Sequence, residues 1–282
     1  MKPKVIAVVG PTASGKTKMA IDLAKQIDGE VISADSRYVY KGFNIASAKP
    51  TLEEMDGIPH HLIDIVEPEV DYSVANFYDD AKSKIYEISE RGKTPIVAGG
   101  TGLYFRVLLE NYDLPRVEEN PKLRAELELK EKEDLLSELK KLDIITYERI
   151  KDANKRRIVR ALEVIKILGK PFSDLSIEKE PEFDVEWKMP YIESREILYE
   201  RINRRVDEMV KLGVVEETKN LLEKHGRIKN FVSTIGYKEI LTYLDGEATL
   251  EEALDKLKQH SRNYAKRQLT WFRRNPNLEI QL

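Results

Sequence analysis

The chain has 282 residues, with 47 Lys+Arg against 50 Asp+Glu and a net charge of −3, so no global basic field marks a nucleic-acid partner and any such patch must be local. The absence of cysteine excludes disulfides, thiolate metal sites and cysteine nucleophiles, and the four histidines (His60, His61, His225, His260) lack the spacing of a zinc site. Apolar residues make up 41% and charged residues 34%, a composition suited to a sizeable core with long solvated helices. No apolar run reaches the roughly 18 to 20 residues that span a bilayer, so no membrane partner and a cytoplasmic location are expected.

In chain order, residues 5–9 (VIAVV) form a β-branched run closed by Gly10, the pattern of a buried strand. The Gly-Pro and the lysine that follow so soon separate it from a signal peptide. Residues 16–27 read as a helix, and 30–34 (EVISA) as a second strand ending at Asp35-Ser36. Residues 61–65 (HLIDI) are a candidate third strand. Ser73 to Arg91 is helical, with Ser73 as N-cap and Gly92 as the stop. Residues 94–98 (TPIVA) are a further strand, followed by Gly99-Gly100-Thr101-Gly102. Strands alternating with helices argue for a parallel α/β sheet. From Pro121 to about Leu168 the chain is charged and helical. Residues 170–183, with Pro171 and Pro181, are a connection; 184–192 hold a late strand ending near Tyr191; and the remainder is mainly helical to about Arg274. The expected organisation is a P-loop NTPase-like α/β core begun by residues 1–114, a helical insertion subdomain at 115–183, and a return to the core with a helical C-terminal section at 184–282.

Residues 10–17 (Gly10, Pro11, Thr12, Ala13, Ser14, Gly15, Lys16, Thr17) match G-x-x-x-x-G-K-[ST] between a strand and a helix, the context that motif requires. Its glycines let successive backbone N–H groups wrap a diphosphate, the helix N-terminus adds partial positive charge, Lys16 adds a full one, and Thr17 can place its hydroxyl on Mg2+. The motif specifies a diphosphate or triphosphate, not the molecule that carries it.

A kinase or NTPase would hold its metal with an aspartate after a second apolar strand. Here the strand at 94–98 ends in Gly99-Gly100 instead. Asp64 is flanked by apolar residues and reads as a core-edge or capping residue. Asp35 closes the strand after the first helix and should stand at the carboxyl edge of the sheet, where open α/β folds bind ligands. A carboxylate there can accept a proton from a nucleophile or support the metal; its structural alternative is an N-cap. Two segments are locally basic. KRRIVR packs Lys155, Arg156, Arg157 and Arg160 together, while Arg262, Lys266, Arg267, Arg273 and Arg274 interleave with Tyr264, Trp271 and Phe272. Such segments suit phosphate contact with base stacking; the alternative is a solvated amphipathic helix with Trp271 in the core.

GPTASGKT, ISADSRYVYKGFNIASAKPT (32–51), GIPHHLIDI (57–65), YSVANF (72–77), GGTGLYF (99–105), RRIVRALEV (156–164), LYERINRRVDEM (198–209), IGYKEI (235–240) and YAKRQLTWFR (264–273) occur in this order along almost the whole chain. The series resembles the tRNA dimethylallyltransferases, and more specifically their bacterial type. The resemblance implies that the P-loop binds the diphosphate of dimethylallyl diphosphate, with Mg2+ as cofactor. The dimethylallyl group would then pass to the exocyclic amine of the adenosine 3′-adjacent to the anticodon in tRNA. It implies Asp35 as general base, Thr17 and Thr101 at the reacting groups, and Arg205, with Arg201 as the other candidate, on the leaving diphosphate. It assigns tRNA contact to Asp35, Ser36, Arg37, Tyr38, Thr101, Arg124, Arg156, Arg157, Ile158, Val159, Arg160, Lys266, Arg267, Gln268 and Trp271, in a chain expected to be a monomer. Tyr38 departs from the glutamine common in the family, and no Asp-Pro follows at Asp143. An adenylate dimethylallyltransferase, a P-loop kinase and a non-catalytic RNA-binding module are the competing readings.

Overall fold

A computed structural model describes residues 2–110, 112, 115, 117–175 and 180–278. These residues form two compact units: 1–109 with 182–282, and 110–181.

The larger unit is built on five parallel strands. In chain order its first elements are β1 (Lys4–Val9), α1 (Lys16–Ile27), β2 (Gly29–Ser33), α2 (Leu52–Met55), β3 (His60–His61), α3 (Val74–Glu90), β4 (Thr94–Gly99) and α4 (Gly102–Leu109). The smaller unit contributes α5 (Pro121–Leu129), α6 (Lys132–Leu142), α7 (Ile144–Ile150) and α8 (Lys155–Leu168). The chain then returns with β5 (Asp184–Lys188), α9 (Arg195–Lys211), α10 (Val214–His225), α11 (Lys229–Val232), α12 (Tyr237–Leu244) and α13 (Leu250–Phe272). The strand order is β3-β2-β4-β1-β5. β1 lies inside the sheet and is buried on both faces, which is why it reads as an unbroken apolar run. Its alternate residues serve two cores. Val5, Ala7 and Val9 pack with α3 and α4, while Ile6 and Val8 pack with Ala20 and Ala24 of α1.

The helix at α3 starts where its sequence signal places it. Ser73 Oγ accepts the Asn76 N–H and Asn76 Oδ1 accepts the Ser73 N–H, a reciprocal capping box. Two strands are shorter than expected. β3 covers only His60–His61, not 61–65, because Leu62 (φ 62°) and Asp64 (φ 53°) take left-handed conformations that no strand continues through. Asp64 instead pairs with the ammonium of the buried Lys49, a structural role. β5 stops at Lys188, not near Tyr191, two residues ahead of Pro190, whose missing N–H cannot extend the ladder.

In the smaller unit α5–α8 close around Leu127, Leu135, Leu139, Ile158 and Leu162. Glu163 is fully buried there, and its carboxylate accepts hydrogen bonds from Arg124 (2.7 Å), Arg160 (2.7 Å) and the Asn120 N–H (2.9 Å). Burial alone would raise its pKa; these three donors outweigh it and hold the carboxyl below its ordinary value.

Candidate active site

The 10–17 loop joins β1 to α1 at the carboxyl edge of the sheet. Ala13 (φ 61°) and Gly15 (φ 89°) are left-handed, so the backbone N–H groups between them turn toward one side, the form of an anion-binding nest. Gly15 is the N-cap of α1 and offers no side-chain cap, which leaves the first-turn N–H groups available to an anion. The Ser14 hydroxyl is buried within the loop without a hydrogen-bond partner among the described residues. A non-glycine residue at a positive φ costs about 1 kcal/mol, strain of the kind that collects at functional loops.

The loop is clasped from far along the chain. Gln268 of α13, 5% exposed, accepts the Thr12 N–H on Oε1 at 2.8 Å and donates from Nε2 to the Gly100 carbonyl at 2.9 Å. A Cβ on Gly100 would lie 2.1 Å from that amide nitrogen, so a side chain here would displace the clasp. Arg205 of α9 reaches the same loop and donates to Thr12 Oγ1 at 3.3 Å. Both candidate arginines sit on α9, and Arg205 is the one that lines the cleft.

That cleft has a volume of about 240 Å³, and among the described residues Lys16, Arg37, Arg205 and Arg267 line it against one carboxylate, Asp35. Four cations to one anion suit a polyanionic ligand. A smaller pocket of about 20 Å³ adjoins it, with Lys16, Asp35 and Tyr38 lining both. Its other walls include Thr17, Ala20, Val31, Ile63 and Ala98. Enclosure pushes the Lys16 ammonium down to about 8, Asp35 opposes this, and Arg205 adds to it. Asp35 Oδ1 accepts the Arg37 N–H at 2.9 Å, which aims the carboxylate and orders the turn after β2. Thr101 backs that turn: its hydroxyl accepts the Ser36 N–H at 3.2 Å and its own N–H binds the Ala34 carbonyl. The Tyr38 hydroxyl donates to the Ala48 carbonyl at 2.6 Å, and burial, with the Asp35 charge behind it, raises its pKa.

Several residues expected at an RNA surface stand elsewhere. Ile158 and Val159 are 0% and 2% exposed in the core of the smaller unit, because the apolar stripe of α8 passes through them. Arg124 and Arg160 are committed to Glu163, and Gln268 spends both halves of its amide inside the protein. Trp271 is partly buried against the main core, so close to Gly102 that a Cβ there would lie 2.1 Å from the indole. By contrast Arg156, Arg157 and Lys266 are exposed and make no ion pair among the described residues. Arg267 is exposed too, 5.5 Å over the Tyr264 ring.

Sequence reading missed the Gln268 clasp and the carboxylate of Glu217, which accepts the Ile45 and Ala46 N–H groups at 2.9 and 3.2 Å and the Tyr237 hydroxyl at 2.8 Å. It thereby holds the 44–48 segment that walls the cleft. For Gln268 a signal existed: it is a polar residue in the buried stripe Ala265, Gln268, Leu269, Phe272 of α13.

A family model described as IPP transferase matches residues 38–275. The chain belongs to the IPP transferase family. The tRNA dimethylallyltransferase of Halalkalibacterium halodurans is 47% identical over 99% of this chain and 90% of its own length. That of Anoxybacillus flavithermus is 46% identical over 97% of this chain and 88% of its own length. Among solved structures, the full-length tRNA isopentenylpyrophosphate transferase of Bacillus halodurans superimposes with a TM-score of 0.73 at 45% identity, covering 99% of this chain and 90% of that one. A eukaryotic dimethylallyltransferase acting on tRNA gives a TM-score of 0.81 at 32% identity, covering 95% of this chain and 69% of that one. The match spans both units of this family member, and the 10–17 loop precedes the part covered by the family model.

Proposed function

We propose that this family member transfers the dimethylallyl group of dimethylallyl diphosphate to the exocyclic amine of the adenosine 3′-adjacent to the anticodon in tRNA. The observation that carries the reading is the position of Asp35, beside Lys16 on the shared wall of a cation-lined cleft and a small, mostly apolar pocket.

The amine nitrogen bonds to C1 of the donor, the C1–O bond breaks, diphosphate leaves, and the amine gives up one proton. The amine is a weak nucleophile, so the task is to neutralise the leaving group and position the reactants. The nest at residues 10–17, the α1 N-terminus, Lys16 and Arg205 supply positive charge to the diphosphate. Asp35 takes the proton. Gln268 keeps the loop in shape, and Thr101 keeps the Asp35 turn in place. Mg2+ fits this site: the Thr17 hydroxyl is a hard oxygen donor on the pocket lining, diphosphate oxygens and water would complete its shell, and Asp35 stays available to the proton. The ion would add charge neutralisation on the leaving group.

An adenosine must leave its stack to reach Asp35, at a cost of a few kcal/mol that phosphate contacts offset. Lys155, Arg156, Arg157, Lys266 and Arg267 are the cations proposed for those contacts. Incorporation of label from dimethylallyl diphosphate into undermodified tRNA, with Mg2+ and without ATP, tests the reading, with free AMP as a parallel acceptor. Label in tRNA alone is expected. Label in AMP alone would make the protein an adenylate transferase, and label in neither would overturn the assignment.

A further inference from the structure

The small pocket beside Asp35 has Ser33 and His60 in its lining besides Lys16, Thr17, Asp35 and Tyr38. Register pairs His60 of β3 with Val31 of β2, and Ser33 lies two residues further along β2, so all three side chains share the sheet face that lines the pocket. Ser33 is 4% exposed, and its hydroxyl has no hydrogen-bond partner among the described residues. His60 Nδ1 lies 2.8 Å from the Ile58 carbonyl. A carbonyl only accepts, so Nδ1 carries the hydrogen, and Nε2 of the neutral ring is a bare acceptor. That Nε2 is also buried without a partner. Burial favours the neutral ring.

Leaving two buried polar atoms unpaired costs free energy that a folded chain seldom accepts without water or a ligand to satisfy them. One of these atoms only accepts; the other both donates and accepts. The complementary group is a single hydroxyl, which donates to His60 Nε2 and accepts from Ser33. The pocket, at about 20 Å³, has room for one such group.

We propose that Ser33 and His60 make this small pocket a hydroxyl-binding subsite for the far end of a donor held in the adjoining cleft, so that the enzyme accepts a five-carbon allylic diphosphate bearing a hydroxyl on its terminal carbon as well as the plain donor. This rests on the transfer reaction proposed above. With the plain donor a water molecule fills the subsite; with the hydroxylated donor its own hydroxyl displaces that water. The chemistry balances without an oxidant or reductant. The amine bonds to C1, the C1–O bond to diphosphate breaks, Asp35 takes the proton, and the distal hydroxyl is unchanged.

The test offers the full chain dimethylallyl diphosphate and 4-hydroxy-3-methylbut-2-enyl diphosphate, separately and in competition, with undermodified tRNA. Calorimetric titration of each diphosphate without tRNA reads the pocket independently of transfer. The wild-type protein is expected to use and bind the hydroxylated donor within about tenfold of the plain one. Ser33→Ala and His60→Phe should each lower the hydroxylated-to-plain ratio of kcat/KM, and of affinity, at least about tenfold, as expected when a site built to hold a hydroxyl loses its partner. Because the readout is a ratio within one variant, a general loss of folding does not imitate it. Rejection of the hydroxylated donor by more than about a hundredfold while the plain donor reacts would overturn the subsite as a donor site and leave it to water. A ratio unchanged in both variants would do the same. Failure of transfer from both donors would count against the proposed reaction, and the binding ratios would then decide the subsite alone.

Discussion

The side-chain amide of Gln268 holds the Thr12 N–H at 2.8 Å, so the loop near the start of the chain takes its shape from the last helix. Gln268→Ala should leave the Thr12 N–H and the Gly100 carbonyl unpaired in a buried place. The expected cost is roughly 1–3 kcal/mol of stability, visible in denaturant titration, together with a raised KM for the donor. Gln268→Glu keeps the acceptor toward Thr12 but sets an oxygen against the Gly100 carbonyl, and should be no better than alanine.

Lys16 gives donor binding a pH dependence of definite sign. Its pKa in the free protein is pushed down to about 8. A bound diphosphate favours the charged form, so binding takes up a proton once the free lysine has lost it. Affinity should be level with respect to this group below about pH 8 and fall above it, by at most about tenfold per pH unit for one proton. Folding follows the same group in the opposite sense. Burying the ammonium weighs against the folded state below pH 8, and that penalty fades as pH rises from about 8 toward 10.5. Calorimetric titration of the donor between pH 7 and 9.5 measures the first effect, and Lys16→Met should abolish the slope.

Asp35→Asn retains an oxygen to accept the Arg37 N–H, so the turn after β2 should survive. The proton acceptor is lost. Single-turnover transfer should slow at least about a hundredfold, with donor affinity little changed. Loss of donor binding with intact chemistry would assign Asp35 to the diphosphate or its metal instead.

The arginines of the smaller unit divide into two groups with opposite expected phenotypes. Arg124→Ala removes a charged hydrogen bond from the buried Glu163 and should cost roughly 1.5–3 kcal/mol of stability. Because the folded-state pKa of Glu163 is depressed, this contribution is present above the ordinary carboxyl pKa and is lost as pH falls below it. Arg156→Ala and Arg157→Ala touch no carboxylate among the described residues and should leave stability nearly unchanged. They should weaken tRNA binding and reduce its salt dependence by roughly one counterion each.

The parts that sequence conveyed are those governed by local rules. The strand–loop–helix at residues 4–27, the Ser73 N-cap and the helical character of residues 121–168 each follow from neighbours a few residues apart. The 61–65 segment misled because a short apolar-rich run satisfies a strand pattern, while the left-handed turns at Leu62 and Asp64 answer to backbone bonds with Tyr38 and Val39 of another segment. Two basic residues of the KRRIVR helix and its neighbourhood, Arg160 and Arg124, looked free because sequence does not reveal the buried carboxylate between them. The hold of the Glu217 carboxylate, on α10, over the 44–48 segment is likewise a product of tertiary packing, joining positions remote in the chain.

The placement of β5 has a consequence for how the chain is made. β1 pairs on one side with β4 and on the other with β5, where Lys4 faces Asp184. During synthesis at roughly 5–20 residues per second, the first strand therefore waits on the order of ten to forty seconds for its second neighbour. Through that interval an apolar strand edge faces the cell, and a chaperone that shields extended apolar segments would find its best target at residues 4–9, before β5 has left the ribosome.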